Sequence, residues 1–164
     1  MSRTYTLCVQ TDLDGEQALK IVINSMLGYD VPIEDTFISA SPRKLDRLWY
    51  PIGGPENLLP VAREIPKLAY EYVRQDLGLD ASLMLQFGLI AFTDEEEHDK
   101  ILLFWKGALG LLAQIPGDAV FEDGYSAILF FRKEGKLVVD TSNIPENLLE
   151  ELLALLPEPY EQKR

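Results

Sequence analysis

The sequence predicts an α+β domain: a mainly antiparallel sheet with helices packed on one face, one long central helix and an irregular insertion in the middle. Three observations carry this. Short segments of alternating polarity recur at both ends of the chain, a capped apolar stripe runs from Asp94 to Gln114, and Glu134-Gly135 joins two strand-like segments as a two-residue hairpin. With 164 residues, 47% of them hydrophobic, the chain can bury an ordinary core as a single domain spanning residues 1–164, without a metal or disulfide staple.

Tyr5 to Gln10 alternates as a strand, with Tyr5, Leu7 and Val9 on one side. Asp14 then fits a helix N-cap, and Gln17 three residues later completes a capping box. Ala18, Leu19, Ile21, Val22, Ser25 and Met26 form the inner face of that helix, and Gly28 ends it. Phe37 to Ala40 makes a short strand. From Ser41 to Pro66 the prolines at 42, 51, 55, 60 and 66 break every long period. The segment reads as an irregular insertion with a few helical turns, pinned by Trp49, Tyr50, Leu58 and Leu59.

Lys67 to Leu77 is helical and stops at Gly78. Ser82 to Ala91 is a continuous apolar strand covered on both faces. The long helix that starts at Asp94 presents Ile101, Phe104, Trp105, Ala108, Leu112 and Ile115. Strands near Asp118–Glu122, Ala127–Lys133 and Lys136–Asp140 follow. Ser142 or Asn143 caps a final helix with Pro145 at its first position and Leu148, Leu149, Leu152, Leu153 and Leu156 as its stripe. Those leucines are too many to leave in water. Residues 157–164 read as a polar tail. Pro55-Glu-Asn-Leu-Leu recurs as Pro145-Glu-Asn-Leu-Leu, two helix starts and not a repeat.

Composition excludes several functions. Cys8 is the sole cysteine, so neither an intramolecular disulfide nor a thiolate metal site can form. The N-terminus lacks a signal peptide's apolar region. The longest apolar stretch, Ile101 to Ile115, is too short to span a bilayer and carries Lys106. These features place the protein in the cytoplasm. The net charge of −12, from 27 acidic and 15 basic residues, repels nucleic acid and anionic membranes and attracts basic proteins.

No residue pattern calls for catalysis, a cofactor or a metal. His98, the sole histidine, sits among Glu95, Glu96, Glu97 and Asp99 and reads as an exposed helix-start residue. Thr11-Asp12-Leu13-Asp14-Gly15-Glu16 lacks the spacing of a calcium loop. Gly53-Gly54 is followed by Pro55, which removes an N–H from any phosphate cradle. Partner binding has two candidates. Asp94, Glu95, Glu96, Glu97 and Asp99 exceed what a helix start needs for its dipole. Trp49 and Tyr50, beside a Pro/Gly turn, have the area and few torsions of binding anchors.

Several short motifs also fit one family. Tyr5-Thr6-Leu7 is followed by Gln17-Ala18-Leu19. Gly78, Ser82 and Phe87 are spaced along the central strand. Pro116-Gly117-Asp118-Ala119 precedes Leu129-Phe130-Phe131-Arg132 and Gly135-Lys136-Leu137-Val138-Val139. Over residues 1–27 and 78–142 the chain resembles the bacterial immunity proteins paired with swarming-inhibition toxins. The resemblance implies a cytoplasmic antidote that binds and neutralises a cognate protein toxin, and the acidic charge suits a basic toxin such as a nuclease. The alternatives are a non-enzymatic adaptor or homo-oligomer built on the leucine-rich final helix, and an enzyme using Asp12, Asp14 or the Asp94–Asp99 carboxylates without histidine.

Overall fold

The computed structural model describes residues 2–30, 37–43, 46–51, 60–124, 127–157 and 159–163. Among them, one sheet of nine strands runs in the order β2-β3-β4-β5-β1-β6-β7-β8-β9. The strands are β1 (Ser2–Val9), β2 (Phe37–Arg43), β3 (Asp46–Pro51), β4 (Pro60–Glu64), β5 (Leu83–Ile90), β6 (Ala119–Glu122), β7 (Ile128–Lys133), β8 (Lys136–Asp140) and β9 (Glu161–Lys163). The helices are α1 (Gly15–Leu27), α2 (Lys67–Gln75), α3 (Asp94–Gln114) and α4 (Glu146–Ala154). Every pairing is antiparallel except β8 with β9. This is the α+β class the sequence predicts.

Strand β1 lies at the middle, with Ser2 to Val9 paired to Ile90 to Leu83 on one side and Thr6 to Val9 paired to Glu122 to Ala119 on the other. Its alternation divides the interior. Tyr5, Leu7 and Val9 join α1, α3 and α4 in the main core, whereas Cys8 points to a smaller cluster with Val73 of α2, Leu79, Ala81, Met84 and Val120. Among the described residues, three helices thus cover one face, and the short α2 covers part of the other.

Local signals set the ends of the elements. Asp14 Oδ1 accepts from Gln17 N at 2.8 Å while Gln17 Oε1 accepts from Asp14 N at 3.0 Å, the reciprocal box expected at the start of α1. Gly28 ends that helix in the left-handed region, at φ 79°. In the β7–β8 hairpin Glu134 and Gly135 both have positive φ, 53° and 80°, the geometry that matches strand twist in a two-residue turn. Leu148, Leu152 and Leu156 are buried as the final stripe requires, with Leu149 and Leu153 partly buried beside them. Pro145 is the residue preceding α4 instead of its first residue, and Thr141–Asn143 form a single 3-10 turn before it.

The middle of the chain differs from its reading as an irregular insertion over 41–66. Its described parts are strands β2, β3 and β4, hydrogen-bonded into the sheet. The prolines sit where a missing N–H does least harm. Pro60 opens β4, Pro51 closes β3, and Pro42 lies at the register shift between Ala40 and Arg43. Residues 52–59, including Leu58 and Leu59, lie outside the described residues. The 157–164 segment is likewise more than a polar tail. Glu161–Lys163 add the parallel edge strand β9, supported by Lys136 Nζ on Glu161 Oε1 at 3.1 Å and Thr141 Oγ1 donating to Lys163 O at 3.2 Å.

Candidate functional site: the acidic start of α3 and its surroundings

Helix α3 begins after Thr93, whose Oγ1 accepts from Glu96 N at 3.1 Å. Glu96 Oε2 in turn accepts from Phe92 N at 3.0 Å, so this carboxylate is committed to holding the chain's entry into the helix. Glu97 is half-buried and lies within electrostatic reach of Arg3 and Tyr5 on β1, as does Asp123. Arg3 donates to Tyr5 Oη and stacks over its ring. Three of the five carboxylates therefore remain for an outside partner: Asp94, Glu95 and Asp99, all exposed.

The fold adds acidic residues that are distant in sequence. His98 Nε2 lies 3.0 Å from Glu151 Oε1 of α4, with 28% of the histidine side chain exposed. It is a half-buried tie between two helices, not the exposed helix-start residue the sequence predicts, because the last helix folds back across it. This places Glu146, Glu150 and Glu151, all exposed, on the helix that lies against the start of α3. Glu151 is the α4 carboxylate brought to the start of α3.

Beside it stands an apolar feature that sequence reasoning missed. Phe92 is 87% exposed and Ile90 37% exposed. Phe92 occupies the position before the N-cap, where an apolar side chain ordinarily packs on the fourth helical residue. That residue is Glu97, so the staple has no apolar partner. The Phe92-Thr93 to Glu97 spacing was the available signal. The other anchors fare differently. Trp49 is only 7% exposed, in the main core, and a Cβ on Gly15 would run into its indole ring. Trp49 is a core residue pinning β3 to α1, which corrects its reading as a partner anchor. Tyr50 pairs with Ile38 through its backbone, and its side chain lies outside the described residues.

One buried and one half-buried polar group among the described residues are held in their protonated forms. Burial, with the nearby charge of Glu122, pushes the Cys8 thiol up to about 12. Tyr72 Oη donates to Glu122 Oε1 at 3.1 Å, and burial together with that carboxylate raises Tyr72 to about 12. Glu122 itself is raised by burial, against the pull of the Tyr72 hydrogen bond. Among the described residues no group of three or more His, Cys, Asp or Glu side chains is placed to hold a metal ion. No helix among them is long and apolar enough to cross a membrane.

The motif residues behind the family resemblance do structural work. Arg132 donates to Leu112 O at 2.8 Å, to Ile115 O at 2.6 Å and twice to Gly117 O at 2.9 and 2.8 Å, closing the C-terminal end of α3. Gly117 passes so close to the Gln10 carbonyl that a Cβ would not fit. Asp118 Oδ1 accepts from Glu134 N at 3.0 Å and steadies the hairpin. Gly117 and Arg132 thus belong to one helix-ending device. Compared with protein-family models, with curated proteins and with solved structures, the chain finds no match.

Proposed function

We propose that this protein is a non-catalytic antidote that binds and neutralises a basic protein toxin. The observation carrying the reading is the acidic start of α3, where Asp94, Glu95 and Asp99 are exposed, with α4 tied to it through His98 and Glu151. On a chain of net charge −12, such a surface attracts a cationic protein and repels phosphate backbones and anionic lipid. The family resemblance supplies the biological role, and charge complementarity supplies the recognition. A homo-oligomer built on the final leucine stripe is disfavoured, because Leu148, Leu152 and Leu156 are buried in the protein's own core.

The test is kinetic. Binding to the purified product of the adjacent gene is measured at low and high salt, alongside rescue of growth when that product is expressed. A stoichiometric complex whose association slows about 10-fold or more at high salt is expected. Absence of a complex overturns the antidote reading, and salt-independent association overturns the electrostatic part alone.

A further inference from the structure

Beyond the general acidic surface, we infer that the end of β5 is the anchor of this interface: Phe92, with Ile90 beside it, enters an apolar pocket on the partner rimmed by Lys or Arg. The inference rests on the antidote reading for the partner's existence, but on separate observations for the place. Phe92 is 87% exposed and Ile90 37% exposed. A large aromatic in water next to a strand end has no role in the core, and aromatics of this kind are enriched among interface anchors.

The backbone beneath these side chains is held from both ends by the helix that follows. Lys100 Nζ donates to Ile90 O, and Glu96 Oε2 accepts from Phe92 N. Thr93, next in the chain, caps the helix through Glu96 N. The aromatic is therefore presented by an ordered turn, and little backbone freedom remains to be lost on binding.

The surroundings select the occupant. Asp94 and Glu95, both exposed, follow Phe92 in the first turn of α3. A pocket that closes over Phe92 brings its rim against these carboxylates, so cationic side chains satisfy them and acidic ones are repelled. A second copy of this chain would bring the same carboxylates face to face, which disfavours self-association through this corner. Nucleic acid and anionic lipid fail for the same reason of charge.

Phe92→Ser, Phe92→Leu and the triple variant Asp94→Asn/Glu95→Gln/Asp99→Asn separate anchor from rim. Stopped-flow association, dissociation and melting curves are measured with the purified adjacent-gene product, and sedimentation of each variant alone reports self-association. Phe92→Ser should speed dissociation about 30-fold or more with its melting temperature and association rate nearly unchanged. Phe92→Leu should recover part of the loss, and the triple variant should slow association at low salt. Wild-type complex formation with unchanged dissociation of Phe92→Ser overturns the anchor while leaving the antidote reading intact. No wild-type complex overturns both. Wild-type self-association abolished by Phe92→Ser overturns the anchor in favour of a second copy as its occupant.

Discussion

On the face beneath α1, α3 and α4, six aromatic rings lie with neighbouring centroids 5.0 to 6.0 Å apart: Tyr5, Phe87, Phe104, Trp105, Phe121 and Phe130. Beneath α2 the buried set among the described residues is Cys8, Val73, Leu79, Ala81, Met84 and Val120, with the rings of Tyr72 and Phe131 only partly buried beside it. Helix α3 buries eight of its residues and α2 only Val73. One sheet thus carries a broad core on one face and a small patch on the other. From this contrast α2 is expected to open before the elements over the broader core.

The largest expected effect tests this asymmetry directly. Trp105→Ala removes a side chain 1% exposed from the ring cluster and should cost about 4 kcal/mol. Val73→Ala removes two carbons from the smaller patch and should cost about 2 kcal/mol. Denaturant unfolding of both variants is the measurement, and equal losses would break the contrast between the faces.

A second, smaller effect sharpens it through pH. Glu122 has its carboxyl raised above 4.5, chiefly by burial. The folded state therefore holds its proton more tightly than the unfolded chain, and stability falls as pH rises through the window above 4.5. Glu122→Gln keeps an acceptor for Tyr72 and removes the buried charge. Its melting temperature should exceed the wild type's at pH 8, with the gain shrinking toward pH 4. A gain of equal size at every pH would assign the effect to packing instead.

The smallest effect is a rate. Cys8, 5% exposed and with its thiol pushed up to about 12, should react with a thiol reagent in native buffer only when α2 opens. Val73→Ala should speed that labelling, and amides of α2 should exchange before those of α3. Labelling that proceeds only at the global unfolding rate would mean that the two faces open together.

Strands β1, β5, β6, β7 and β8 were legible in the sequence, whereas β3, β4 and the edge strand β9 were not. Between Ala119 and Asp140 short apolar segments are bounded by turn residues, and a two-residue turn sets the register of β7 with β8. From Phe37 to Glu64 the same sheet is built from strands whose ends and bulge are prolines. Period-based reading takes those prolines as breaks, although only an interior ladder position would forbid them. The acidic run at Asp94–Asp99 was also legible, but its division of labour was not. Glu97 is half-buried within electrostatic reach of Arg3, and His98 meets Glu151, groups far away in the chain. Phe92 was readable in principle, from the charged residue standing where its staple partner belongs.

The central position of β1 has a consequence for synthesis. Val9 finds its two flanking neighbours at Leu83 and Ala119, more than seventy and one hundred residues further along. At ribosomal speeds of about 5–20 residues per second, the second flank follows the first strand by on the order of ten seconds. Until β5 is made, Tyr5, Leu7 and Val9 lie on a strand with both edges open, and until β6 is made one edge stays open. A nascent chain of this design depends on early shielding of its first strand, and slow release or a scarcity of chaperones should lower its soluble yield before any change in the finished fold is detected.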